Sequence, residues 1–308
     1  MQPFTPHRRQ SVAALGEEKL IRAIRRWLGR ATPPPPAGIG DDCAVLPPAP
    51  HRQLLTVDPV IYRRHFDDTI APRAVGEKLL KRNLSDLAAM GGRPTAAVVA
   101  LTLDPRVRLA WLEQFYRGLA AAARKYRTPI VGGDVAQGRG TLAASLTLLG
   151  AAAGPRVLAR AGARRGDWIY VTGRLGASVR TGHHFRFTPR LAEGAWLARR
   201  PEVRAMMDVS DGLAKDLWAL TPRGTRPVLT ATAIPRRDGA TLRAALTEGE
   251  DYELVFACAA NADRRRFEVA WRRAFPRVRL SGIGRFASHP AEAGEIELGA
   301  LHGYEHLR

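Results

Sequence analysis

The chain is poor in cysteine and in long apolar runs, and each shortage closes off a class of protein. Its 308 residues include two cysteines, Cys43 and Cys258. Neither sits in a CxxC or Cys/His pattern with metal-ligand spacing, and two cannot build a disulfide framework, so buried thiols are expected. No apolar stretch approaches the ~18 residues of a membrane span. The opening MQPFTPHRRQSV has no apolar core of a signal peptide, so a cytoplasmic protein with no membrane association is expected. A GxxxxGK(S/T) loop is also missing, which excludes a Walker-type nucleotide site. Acidic residues number 29 against 48 Lys plus Arg, a net charge of +19. Such charge suits nucleic acid when it is clustered. Here it is dispersed as pairs such as Arg25-Arg26 and Arg63-Arg64, and the run Arg264 to Arg266 falls in an expected helix with a solvated face. No nucleic-acid partner is expected.

What is present is a two-domain α/β pattern. Leu20, Ile24, Trp27 and Leu28 share one face of a helix over 17–30. The prolines 33–36 then stop any helix. Strand-like runs at 43–46, 53–57, 96–103, 130–132 and 141–149 alternate with helical stretches at 72–90 and 109–126. This predicts a mixed-sheet first domain over 1–153. The Gly- and Arg-rich segment GPRVLARAGARRGDW marks a crossing. A second α/β domain over 154–308 carries strands at 168–171 and 252–257, a helix after Asp211 and a long amphipathic helix at 262–274. TGRLGAS reads as a tight turn after a strand rather than a dinucleotide loop.

The few acidic residues are placed unusually. Asp41 and Asp42 (GIGDDCAVL), Asp58 (LLTVDPV), Asp86 (NLSDLAAMGG), Asp134 (IVGGDVA) and Asp208 with Asp211 (MDVSDGL) all lie in apolar or glycine-rich settings. A carboxylate there must be paired, hydrogen-bonded or metal-bound. For Asp41, Asp134 or Asp208 taken singly, a helix cap or Asx-turn stands beside the ligand reading. Taken as a set, they suit hard cations such as Mg²⁺, which take oxygen ligands and bridge phosphates. Gly38, Gly40, Gly91, Gly92, Gly132 and Gly133 flank them, and glycine lets backbone N–H groups approach phosphate oxygens. A multi-metal polyphosphate site is expected.

The ordered motifs GIGDDCAVL (38–46), TVD with HF at 65–66, NLSDLAAMGGRP (83–94), GGD (132–134), ARAGARRGDWIYVTG (159–173), DVSDGL (208–213), GEDYELVF (249–256) and GYEHL (303–307) resemble the thiamine-monophosphate kinase family. That family belongs to the aminoimidazole ribonucleotide synthetase-like ATP-binding superfamily. The resemblance runs from about residue 12 to the end of the chain. It implies phosphoryl transfer from ATP to thiamine monophosphate in thiamine diphosphate biosynthesis, with several Mg²⁺ ions and no general base. The implied Mg²⁺ ligands are Asp42, Asp58, Asp86, Asp134, Asp208 and Asp211, with Asp41 as a weaker candidate or cap. Implied ATP contacts are Thr56, Gly133, Asp134, Arg160 and Ser210. Tyr116 is a weaker nucleotide candidate, for which simple core packing is the favoured reading. His65, Glu250 and Tyr304 match acceptor positions, although His65 alone would read as a structural histidine. A homodimer associating through first-domain strands is also implied.

Departures from the family pattern are Val57 and Val135, where Thr is usual, Glu248 in place of the first Gly of GGEDYEL, and a shortened 181–190 segment. None removes an acidic candidate. A selenophosphate synthetase would need a reactive Cys or selenocysteine before position 43, and a hydrogenase-maturation dehydratase a C-terminal Cys; the chain has neither. A catalytically lapsed nucleotide-binding paralogue is the remaining alternative.

Overall fold

The computed structural model describes residues 1–34, 37–39, 46, 48, 51–289, 291, 294–301 and 303–304. The chain divides into two compact units, one of 1–87 with 93–151 and one of 88–92 with 152–308. Among the described residues no helix is long and apolar enough to cross a membrane.

The first unit runs through α1 (Glu17–Leu28), β1 (Gln53–Ile61), α2 (Pro72–Ala89), β2 (Gly92–Leu103), α3 (Leu109–Lys125), β3 (Ile130–Gln137) and β4 (Leu142–Ala152). Its sheet has the order β1-β4-β2-β3, with β1 antiparallel to β4 and β2 parallel to β3. The sheet is therefore mixed, as the alternation of strand and helix patterns predicts. Pro59 is accommodated because β1 is an edge strand, which needs no full set of N–H donors.

Strand periodicity puts alternate residues on opposite faces. Leu146 and Leu148 of β4 and Val99, Leu101 and Leu103 of β2 are buried. The helices cover that face: Leu101 and Leu142 share a small cavity with Trp111, Leu112 and Phe115 of α3. On the other face Leu55 is 72% exposed and Val57 60%, so this sheet is covered on one side. Helices α2 and α3 touch through reciprocal glycines. A Cβ on Gly76 would lie 2.0 Å from the Phe115 carbonyl oxygen, and one on Gly118 2.0 Å from that of Arg73.

The second unit contains β5 (Trp168–Thr172), α4 (His183–Arg186), α5 (Leu191–Leu197), β6 (Val203–Asp208), α6 (Leu213–Asp216), β7 (Arg226–Thr230), α7 (Leu242–Thr247), β8 (Leu254–Cys258), α8 (Arg264–Ala274), β9 (Leu280–Ala287) and β10 (Glu295–Glu297). Its sheet has the order β10-β7-β9-β5-β8-β6, with antiparallel pairing at each junction. Both faces are buried. Ile169, Val171, Met207, Val255 and Ile283 meet Leu213 and Leu217 on one side, while Tyr170, Met206 and Phe256 meet Phe267 and Trp271 on the other. That double burial explains why β8 reads as an unbroken apolar run. TGRLGAS leaves β5 as a turn with Gly176 and Ala177 both left-handed, and the next helix begins only at His183.

Gly118→Ala forces its new methyl into the Arg73 carbonyl and should destabilise the first unit by about 1–3 kcal/mol, the usual cost of overpacking. Urea unfolding followed by far-UV circular dichroism measures it. A variant as stable as the parent would mean that the α2–α3 contact yields freely.

Candidate active site

In the first unit, β1 faces α2 through its even-numbered residues. Residues two apart on a strand and four apart on a helix each share a face, so Thr56 and Asp58 meet Asp86 and Arg82. The Thr56 hydroxyl donates to Asp86 Oδ2 at 2.6 Å. Arg82 Nη1 donates to the Pro59 carbonyl at 2.5 Å, and its Nη2 stands 3.4 Å from Asp58 Oδ1. The Arg82 side chain is 9% exposed and that of Asp58 26%, so this ion pair is shielded from bulk water. Arg82 went unnoticed in the sequence because a basic residue on a helix is ordinarily surface.

Gly133 and Asp134 occupy β3, the opposite edge of the same sheet, about 14 Å away across three strand spacings. The structure therefore does not bring Asp134 beside Asp58 within one chain. Gly133 is required by close approach: a Cβ there would lie 2.1 Å from the Val99 carbonyl oxygen. Beside them opens a pocket of about 80 Å³ formed by Ile21, Ile24 and Leu28 of α1, Tyr116 of α3, and residues 132–135. Tyr116 packs edge-on against Phe115 with centroids 5.4 Å apart, and it also walls this pocket. Burial drives its hydroxyl pKa upward, so it is a neutral apolar wall. His65 lies in the turn after β1, where its Nδ1 accepts from the Ile61 amide at 3.1 Å. Asp41 and Asp42 lie outside the described residues.

In the second unit three distant segments converge. Asp208 ends β6 at 3% exposure. The next residues turn around Asp216, whose Oδ2 accepts from the Ser210 amide at 3.0 Å and the Asp211 amide at 2.9 Å. Lys215 Nζ donates to Asp211 Oδ2 at 2.7 Å and to the Tyr304 carbonyl at 2.6 Å. The Tyr304 amide donates to the Asp211 carbonyl at 2.9 Å, and the Glu250 amide to the Ser210 carbonyl at 2.7 Å. Ser210, Asp211, Glu250 and Tyr304 are thus neighbours. Arg160 is exposed and lies farther along β6, following Ala159, whose carbonyl accepts from Met206. Asp216 and Lys215 were missed by sequence reasoning, although Asp216, five residues after Asp211, is at the right distance to cap the turn. Burial raises the carboxyls of Asp216 and Asp251 to about 7.

Among the described residues no three His, Cys, Asp or Glu side chains converge as a closed metal cage. Oxygen donors alone, presented one or two at a time, fit Mg²⁺, which keeps several waters and takes its remaining ligands from substrate phosphates.

Comparison with known proteins defines the class first. Residues 40–152 match the N-terminal domain of AIR synthase related proteins. Over 250 residues the chain is 39% identical to the thiamine-monophosphate kinase of Salmonella typhimurium, covering 71% of this chain and 75% of that protein. The crystal structure of thiamine-monophosphate kinase from Stenotrophomonas maltophilia K279a superposes with a TM-score of 0.74 at 30% identity, covering 87% of this chain and 94% of that one. The AaThiL complex with AMPPCP and TMP superposes with a TM-score of 0.68 at 28% identity over 91% and 93%. The chain belongs to the thiamine-monophosphate kinase family.

The raised carboxyls have a thermodynamic consequence. Below about pH 7 Asp216 and Asp251 take up protons in the folded state that the unfolded chain has already released above its ordinary value of 3.8, and above about 7 they are the carboxylates that accept the bonds described. Their stabilising share is fully present below about pH 4 and is lost as the pH rises through about 7. The thermal midpoint in metal-free buffer should fall between about pH 4 and 7 through these two groups, and Asp216→Asn should flatten that fall. An unchanged slope in the variant would remove Asp216 from the account.

Proposed function

We propose that the chain transfers the γ-phosphoryl group of ATP to thiamine monophosphate, giving thiamine diphosphate and ADP. A bond forms between an acceptor phosphate oxygen and the γ-phosphorus. The bond from that phosphorus to the β–γ bridging oxygen breaks, and ADP leaves with the electron pair. The acceptor is a phosphate monoester already ionised near neutral pH, so no side chain needs to remove a proton. Catalysis then rests on alignment and on relieving repulsion between two polyanions. The observation that carries this reading is the convergence of Ser210, Asp211, Glu250 and Tyr304 from three segments of the second unit, in a chain of this family.

Asp58 and Asp86 would hold Mg²⁺ in the first unit and Asp208 and Asp211 in the second; bound there, Mg²⁺ neutralises phosphate charge. Thr56 orients the Asp86 carboxylate, and Arg82 balances Asp58. Asp216 holds the backbone of residues 210–211 so that the Asp211 side chain is set. Gly133 allows phosphate to approach the β3 backbone, with the Tyr116 pocket beside it taking the base. Glu250 and Tyr304 offer a carboxylate and an aromatic face to a cationic thiazolium and aminopyrimidine, with His65 as a further acceptor contact. We also place the protein in the cytoplasm.

We further read the protein as a homodimer built on the first unit. Two observations support this. The uncovered sheet face exposes Leu55, Val57, Ile61 and Val98, an apolar patch of the kind that marks an interface. Asp58 and Asp134 lie on opposite edge strands, and a two-fold partner aligned along those edges would present its Asp134 to Asp58 of this chain.

Asp86→Asn should lower thiamine diphosphate formation by at least about 100-fold with the fold preserved, since it removes one of few charge-neutralising groups. Full turnover in that variant would exclude Asp86 as a ligand, and ATP binding without turnover in the parent would favour a lapsed paralogue. For the dimer, Asp58→Asn and Asp134→Asn should each be inactive. Equal mixtures refolded together should recover about a quarter of parental activity, because half the dimers are mixed and each carries one intact composite site. No recovery would place both groups in one subunit's site.

A further inference from the structure

Among the described residues five non-glycine residues have left-handed φ, and three of them, Ala177 (55°), Glu250 (63°) and Tyr252 (52°), fall in two facing loops of the second unit. L-residues occupy that region only when their surroundings enforce it, and such residues cluster at functional sites. The enforcing group here is Asp251. Its side chain is fully buried, and its Oδ1 and Oδ2 accept from the Gly176 amide at 3.1 and 3.0 Å. Arg237 Nη1 donates to Oδ1 at 2.9 Å and to the Gly176 carbonyl at 2.6 Å, while its Nη2 reaches the Arg174 carbonyl at 2.9 Å. One carboxylate and one guanidinium thus tie residues 174–176 to 251.

A second carboxylate repeats the contact one residue on. Glu248 Oε2 accepts from the Ala177 amide at 2.5 Å, and the Ser178 hydroxyl donates to the Glu250 carbonyl at 2.6 Å. Glu248 stands where the family pattern has glycine, so this second tie is a feature of this chain. On either side of Asp251, Glu250 has its amide on Ser210 and Tyr252 has its amide on Val209. The Tyr252 ring stacks on Phe187 with centroids 4.0 Å apart and planes 19° apart. The Glu250 amide is therefore fixed to the Ser210 turn and its carbonyl to the 174–178 loop.

We propose that Asp251, reinforced by Glu248, is a positioning residue that locks loop 249–253 in its left-handed conformation and so aims Glu250 at the phosphate acceptor. The proposal rests on the kinase reading given above. Asp251 itself touches no substrate, being sealed from solvent; it acts through the loop. A change there should loosen the grip on the acceptor and leave ATP alone.

The test uses the full chain with ATP, Mg²⁺ and thiamine monophosphate. Asp251→Asn turns one accepting oxygen into a donor facing Gly176 and Arg237, and should raise KM for thiamine monophosphate at least about tenfold with KM for ATP unchanged. Glu248→Ala, at an exposed position, should fold normally and raise the acceptor KM severalfold in the same selective way. Hydrogen exchange of amides 174–178 and 249–253 should quicken in both variants. If Asp251→Asn does not fold, Glu248→Ala alone decides. Unchanged acceptor KM in the folded variants, or a loss spread equally over both substrates, overturns the proposal. A parent that makes no thiamine diphosphate overturns the kinase reading instead, and exchange that stays slow in the variants then overturns the lock independently.

Discussion

A buried carboxylate has to be met by donors, and most of this structure's functional geometry follows from how that demand is satisfied. Desolvating an anion costs several kcal/mol unless charge or N–H groups compensate. Asp58 is met by Arg82, Asp86 by Thr56, Asp216 by two consecutive amides and Asp251 by an amide and Arg237. Glu253 is held bidentately by Arg190, at 2.6 and 2.7 Å, and also takes the Thr172 hydroxyl at 2.7 Å. The Asp216 contacts close a local turn and the others join residues 14 or more apart in sequence, so satisfying the charge also fixes a turn or strand end. The same demand gives some of the arginine excess a structural use, since Arg82, Arg190, Arg204 and Arg237 each pair with a shielded acid.

Glycine sets how closely backbones pass. Gly133 lets β3 lie against β2 where a Cβ would collide with the Val99 carbonyl, and Gly249 lets its loop reach the Ser210 carbonyl. In the second unit the sheet is buried on both faces and its loops are tied by ion pairs, a rigid support for left-handed residues. The first unit differs: its sheet is covered on one face and carries candidate groups on both edges.

The elements with strong periodicity were legible in advance. α1, α2 and α3 match the predicted helical stretches within a few residues, and β1 to β4 and β8 fall where strand patterns were read. Less legible were β6, β7, β9 and the short helices α4, α5 and α7, which are too short or too irregular to show a clear period of their own. Among site residues, the acidic candidates stood out because carboxylates in apolar settings are unusual. Arg82, Lys215, Asp216 and Asp251 did not, because nothing local distinguishes a buried arginine or a capping aspartate from a surface one.

The sequence by itself determined the mixed α/β class, the kinase-family motifs and the acidic residues that carry them, because those depend on residue type and short-range spacing. Only the tertiary structure decided which of them meet. It placed Thr56 on Asp86, and it gathered residues 208–211, 249–250 and 303–304 while separating Asp58 from Asp134 by the width of a sheet. Strand order and loop closure join residues without regard to their separation along the chain, so no local pattern encodes those distances.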